Sequence, residues 1–373
     1  MTPDQDPRLS VPRPDLPPYL KEGFLAFTQG LTRYPHPEAL DRDGLRALTP
    51  PQRNAYDEAR KNWHANLGPY ATSSLTDVSE ELWEVVDSNR QSPDRVKPCV
   101  AVDGQPGTGK TTALHIFARE LHRRRVDRDG PVTGSGAERF PVCVTTLNGA
   151  VTRLGFNEAV LNFYGWPYPK RATADHLKPL VHAAILTAGT EVIIVDDVHF
   201  LTPTSKDGRD VSNHMKHLSS VLGVTFVFGG VDIKSRNLLT EGRVGDGRAQ
   251  TGRRWSVIPV TELARPAASG TADDWTRLLR AMERDIVLAR GQKAMLSGAS
   301  KELLWDRTGG NLHSLAALVR RACHRAVARD VEILTPELLR GIRLDDTAQT
   351  RYQNDGHAAP LPGTRLLEHR KTA

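Results

Sequence analysis

Cysteine is scarce in this chain: Cys99, Cys143 and Cys323 are the only three in 373 residues, far apart and in no C-x-x-C pair. An odd, scattered set excludes a disulfide framework and a paired-cysteine zinc site, and points to a reducing compartment. Long apolar runs are missing too. Nothing approaches the ~18 consecutive residues of a spanning helix, so no membrane contact is expected. The opening MTPDQDPRLSVPRPDLPP carries acids and prolines where a secretion signal needs a basic patch and an apolar stretch, so a cytoplasmic location is expected. Neither sign of charge dominates. Fifty Lys+Arg against 44 Asp+Glu leave +6, which is compatible with a polyanionic partner without requiring one. Hydrophobic residues at 39% and charged residues at 25% are ordinary for a globular protein. At roughly 150 residues per domain the length allows two or three domains.

The pattern along the chain divides it. Residues 1–19 are Pro-rich and polar and read as a flexible tail. Residues 20–97 read as an N-terminal helical extension. Within it Tyr56, Ala59 and Trp63 share one stripe of a helix over 51–63, and Val78, Leu82, Val85 and Val86 recur at helical spacing over 76–89. From Cys99 the pattern changes to short β-rich runs separated by amphipathic helices, the sequence form of a parallel sheet with crossover helices. Strands are expected at Cys99 to Val102, Val142 to Thr145, Glu191 to Val195, Val224 to Phe228 and Trp255 to Val260, within a core spanning 98–268. Residues 269–345 turn helical again, with Trp275, Leu278, Leu279 and Met282 on one face, and 346–373 read as a second flexible tail.

The strongest motif is the run Gly104, Gln105, Pro106, Gly107, Thr108, Gly109, Lys110 and Thr111, followed by Thr112. It is a complete G-x-x-x-x-G-K-[ST] between a predicted strand and a predicted amphipathic helix. Glycines at these positions let backbone N–H groups turn inward, so that loop and helix start form a phosphate cradle. Lys110 would neutralise the β and γ phosphates of ATP, and the Thr111 hydroxyl would ligate Mg²⁺. About 80 residues on, Val192-Ile-Ile-Val-Asp196-Asp197 is an apolar strand ending in two carboxylates, a Walker B arrangement. Asp196 would hold Mg²⁺ through water and Asp197 would polarise the attacking water. Many such ATPases carry Glu where this chain has Asp197, and one methylene less of reach predicts slow turnover.

With these motifs on the page, residues 50–340 resemble the AAA+ ATPases, and within them the TniB/TnsC-like transposition helpers, with IstB-type helpers close by. The segments carrying the resemblance are Glu84 to Arg90, the P-loop, Val195 to Leu201, His217 to Gly230, Thr251 to Trp255, and Arg307 to Leu315. The resemblance implies a three-layer α/β/α fold with a five-stranded parallel sheet and a C-terminal helical lid. It implies Arg254, with Arg253 as second choice, as the arginine finger reaching a neighbouring subunit's nucleotide. It implies His313 in the lid as a nucleotide-sensing side chain, where many AAA+ proteins have arginine. The region after the second strand faces DNA in TnsC-like proteins, which makes Thr152 and Arg153 candidate phosphate contacts. His199 is read as a structural or sensing residue. At the end of the fourth strand, Gly229 and Gly230 stand where a polar sensor is usual.

The function implied is an ATP-dependent regulator that forms a ring or helical filament, a homo-oligomer, on duplex DNA and recruits or activates a DDE-type transposase. Three alternatives stay open: another DNA-associated AAA+ ATPase of replication-initiator or loader type, a nucleotide-gated DNA scaffold with little turnover, and a small-molecule P-loop kinase.

Overall fold

A computed structural model of the chain describes residues 6, 8–89, 97–147, 152–198, 206–233, 255–266 and 273–356. In chain order the elements are α1 (Lys21–Thr28), α2 (Arg42–Ala47), α3 (Pro50–Ala65), α4 (Ser73–Ser88), β1 (Cys99–Gly104), α5 (Lys110–Asp129), β2 (Val142–Thr146), α6 (Arg153–Tyr164), α7 (Ala174–Ala188), β3 (Val192–Asp196), α8 (Lys206–Leu222), β4 (Thr225–Gly230) and β5 (Trp255–Val260). The helices α9 (Asp274–Asp285), α10 (Lys301–Thr308), α11 (Leu312–Ala328), α12 (Pro336–Arg340) and α13 (Asp346–Asn354) follow. The strands pair in parallel in the order β2-β3-β4-β1-β5, and the register sets Val195 beside Phe228 and Val102 beside Gly229. Parallel neighbours need long crossovers, which the intervening helices supply. The expected α/β sheet is therefore present, with each strand within two residues of its expected span.

The central strands are near-continuous in β-branched residues because both faces are covered. Val100, Val102, Val144 and Val192 to Val195 have no exposed surface, and α5 covers the sheet with Leu114, Phe117, Ala118 and Leu121, also without exposure.

The chain forms two compact units, one of residues 1–33 and 74–261, the other of 34–73 and 262–373. The extension expected as one piece over 20–97 is thus divided, since α2 and α3 belong to the helical unit. Chemistry explains this. On α3 the fully buried side chains are Arg60 and His64; of the expected stripe Tyr56 and Trp63 are half-buried beside them, whereas Ala59 is exposed. The Arg60 guanidinium meets the Glu332 carboxylate in two hydrogen bonds of 2.6 and 2.9 Å, both groups fully buried. The helical unit also begins earlier than residue 269. Leu263 joins its apolar core, donates its N–H to the Gly310 carbonyl at 3.0 Å and accepts from Trp305 Nε1 at 3.0 Å.

Both expected tails are ordered in part. α13 starts on an Asp345 cap and buries Ala348 and Tyr352, so the chain does not loosen at 346. Ser10 donates from both N and Oγ to the Glu138 carboxylate, at 2.9 and 2.7 Å, and this fastens the leader to the sheet unit.

Candidate nucleotide site

β1 ends in Gly104, where the neighbouring β5 backbone approaches so closely that a Cβ would lie 2.2 Å from the Val260 carbonyl oxygen. Only glycine fits there. Gly107 and Gly109 have φ of 79° and 97°, the left-handed region that side chains disfavour, and Gly109 is the residue from which α5 starts. Thr108 is buried and donates to the Gln105 carbonyl at 2.9 Å, closing the loop on itself. Lys110 is folded inward. Its Nζ donates to the carbonyls of Gly104 and Gln105, both at 2.8 Å, and burial pulls its pKa down while Asp196, Asp103 and Asp197 oppose the shift. Thr111 is exposed beside it, and Thr112 is half-buried.

Asp196 ends β3 with 1% of its surface exposed. Its Oδ1 accepts the Asp197 N–H at 3.0 Å, and its Oδ2 accepts the Tyr19 hydroxyl at 3.3 Å. Burial raises its pKa; the Thr111 hydroxyl is the strongest opposing influence, while the nearby Asp197 charge adds to the rise. Asp197 adopts φ of 59°, a left-handed backbone at a non-glycine position, the kind of outlier that clusters at functional sites. The missing sensor side chain now has a steric reason. A Cβ on Gly229 would lie 2.7 Å from Asp196 Oδ1 and 2.5 Å from Leu114 Cδ1, so the carboxylate occupies the space a sensor would need.

The P-loop residues, Asp196 and Asp197 are therefore brought together at the carboxyl edge of the sheet. Arg253, Arg254 and His199 lie outside the described residues. Thr152 caps α6, its Oγ1 accepting the Gly155 N–H at 3.1 Å. Arg153 pairs with Asp175 at 3.4 Å on the rim of a polar groove of about 340 Å³, shared with Lys178, His214 and His217. His313 is exposed near the start of α11 in the helical unit, its N–H held by Asn311 Oδ1 at 3.1 Å. Tyr19 is the residue sequence reasoning missed. The apolar run Phe24-Leu-Ala-Phe27 beside it marks a docking helix, but nothing in the chain signals that this helix carries a hydroxyl to Asp196.

Among the described residues no group of three or more His, Cys, Asp or Glu side chains is placed to cage a metal. The site instead pairs one buried carboxylate with one hydroxyl at a glycine cradle. That donor set suits Mg²⁺, which keeps waters and takes phosphate oxygens rather than an all-protein cage.

A P-loop opening a helix after β1, a carboxylate-ended β3 and the sheet order above define the nucleotide fold of the AAA+ ATPases. The family model for the bacterial TniB protein matches residues 71–245, and over that span the chain is TniB-like. Solved structures share its fold. The ORC1 protein of Aeropyrum pernix in complex with DNA aligns at a TM-score of 0.56 and 16% identity, over 79% of this chain and 70% of that one. The ORC2 protein of the same organism (ADPNP-ADP complexes) aligns at 0.52 and 12%, over 74% and 70%. Cdc6p from Pyrobaculum aerophilum aligns at 0.52 and 15%, over 77% and 69%. At such identities the likeness is one of fold. No curated protein matches the chain by sequence.

Proposed function

We propose that this chain is an ATPase of the AAA+ type that binds Mg·ATP, assembles as a homo-oligomer on duplex DNA and recruits or activates a DDE-type transposase. The observation carrying the nucleotide part is the convergence of Lys110, Thr111 and Asp196 on a loop with no room for a Cβ at Gly104 and with left-handed backbone at Gly107 and Gly109. In this reading the loop N–H groups receive the phosphates. Lys110 leaves the two carbonyls it now holds and turns to the β and γ phosphates, an exchange of weak acceptors for strong ones. Thr111 and Asp196 hold Mg²⁺, which when bound would neutralise charge developing on the phosphates. Asp197 orients the attacking water. Arg254, or Arg253, completes the site from the next subunit, so that nucleotide bridges protomers and its hydrolysis loosens them.

The DNA and transposase parts rest on the TniB match, and on a fold shared with an ORC1 protein described in complex with DNA. Thr152 and Arg153 would contact phosphates independently of sequence. Gly229, which leaves no donor at the sensor position, supports slow turnover and keeps the nucleotide-gated scaffold as a second reading.

Binding of a fluorescent ATP analogue, phosphate release and negative-stain imaging, with and without duplex DNA, test the proposal. Lys110→Ala is expected to weaken nucleotide binding roughly 10- to 100-fold, the worth of its charge-assisted contacts, and to abolish nucleotide-dependent assemblies on DNA. Equal binding by wild type and variant, or a wild type that stays monomeric with ATP and DNA, overturns it.

A further inference from the structure

The leader is tied into the site by a series of close contacts. α1 docks on α5 through Phe24, which has no exposed surface and meets His122 and Phe163 edge-on at 5.4 and 5.8 Å. The turn before α1 folds back on the helix. The Arg13 N–H donates to the Glu22 carbonyl at 2.9 Å, and a Cβ at Gly23 would lie 2.3 Å from the Pro17 carbonyl oxygen. Tyr19 is thereby fixed at the head of α1, with its ring edge-on to His115 at 5.3 Å, one helical turn beyond Thr111. Its hydroxyl ends on Asp196 Oδ2.

A carboxylate this buried has lost most of its water and must find donors within the protein. Oδ1 takes the Asp197 N–H, and two hydroxyls serve the carboxylate besides: that of Thr111, which the Mg·ATP reading turns to the metal, and that of Tyr19 on Oδ2, which remains to set its direction. We propose that Tyr19 is a positioning residue of the nucleotide site. Its hydroxyl holds the Asp196 carboxylate in the orientation that receives a Mg²⁺-bound water, which makes the folded leader a working part of the site. A carboxylate oxygen accepts two hydrogen bonds, so Tyr19 need not leave when the second acceptor position is used. The proposal rests on the Mg·ATP reading above and adds to it a requirement on the N-terminal segment.

The test measures affinity for a fluorescent ATP analogue in EDTA and across a Mg²⁺ titration. Tyr19→Phe keeps the ring and its packing but removes the hydroxyl. Affinity in EDTA is expected to stay at the wild-type value, while the Mg²⁺ concentration giving half of the metal-dependent gain rises about tenfold, the effect of one lost hydrogen bond to a charged group. Gly23→Ala keeps the hydroxyl but displaces the turn that carries it, and should raise the Mg²⁺ requirement in the same direction. In an Asp196→Asn background Tyr19→Phe should add nothing. An unchanged Mg²⁺ requirement in Tyr19→Phe, or an equal loss with and without Mg²⁺, overturns the positioning role while leaving Mg·ATP binding intact. A wild-type chain that binds no nucleotide overturns the underlying reading instead.

Discussion

Two clusters of buried charge, one in each unit, are held in opposite ways. In the helical unit Arg60 and Glu332 are both fully buried, and their charges close on each other; Asp57 adds a contact to Arg60 at 2.5 Å, and the Ala289 N–H donates to Glu332 at 3.0 Å. In the sheet unit Lys110 is spent on two backbone carbonyls, and Asp196 receives hydroxyl and amide donors, with no ion pair to it among the described residues. A buried charge that its own chain neutralises is architecture. One that is held by weak, exchangeable partners at a glycine cradle is a site prepared for an incoming counter-charge.

Acid should separate the units most strongly. His115, His122 and His214 in the sheet unit and His64 in the helical unit all have pKa values pulled down from 6.5 to about 4 by burial. At His64 the neutral form is also read from geometry, since Nε2 accepts the Val287 N–H at 3.0 Å. The folded values lie below the unfolded one, so on acidification the unfolded chain takes up these protons first. Stability is complete above pH 6.5 and falls as pH drops toward 4. Each histidine should remove about 2 kcal/mol between pH 7 and pH 5. The sheet unit, with three, should lose protection before the helical unit. Hydrogen exchange of β3 and α11 amides at the two pH values measures this, and equal or absent losses would break the contrast.

Next in size is removal of one partner of the closed pair. Glu332→Ala leaves the fully buried Arg60 cation with Asp57 as its remaining carboxylate partner, which should cost about 3 kcal/mol in urea unfolding. Lys110→Ala, by contrast, should move the urea midpoint less, because its Nζ is bonded to two backbone carbonyls rather than paired directly with a carboxylate. Glu332 and its neighbour Asp330 also hold left-handed backbones, φ 61° and 53°, which non-glycine residues keep only when their surroundings hold them there. A loss under about 1 kcal/mol in Glu332→Ala would mean that the pair is not what binds α3 into this unit.

What could be read from the chain beforehand follows the range of the interactions. The P-loop, the apolar strand ending in Asp196 and Asp197, and the stripe Trp275/Leu278/Leu279/Met282 are local patterns, and the structure contains each. The division of residues 20–97 could not be read, because Arg60 looks like any surface arginine until Glu332, 272 positions away, meets it. Tyr19 was hidden for the same reason, its acceptor lying 177 positions on. Gly229 was legible as a missing donor, but not as the room that the Asp196 carboxylate fills. Helical propensity was legible over 51–63, and Tyr56 and Trp63 do border the packing face, yet ranking residues on apolarity put Ala59 there and passed over the guanidinium of Arg60 and the imidazole of His64, which are the side chains fully buried.

The smallest effect sharpens the same contrast on the surface. Arg153 and Asp175 are an oppositely charged pair like Arg60 and Glu332, but at 3.4 Å and with side chains 43% and 79% exposed. Water screens them and their long side chains lose entropy in pairing, so Arg153→Ala should change stability by no more than about 0.5 kcal/mol. Its consequence should appear in DNA binding instead. If Arg153 neutralises one phosphate, the variant binds duplex DNA more weakly regardless of sequence, and the slope of log affinity against log salt concentration becomes shallower by about one. A salt titration of wild type and variant on one duplex decides the matter. An unchanged slope would return Arg153 to the role its geometry already satisfies, a partner for Asp175, and would move the DNA contact elsewhere on the chain.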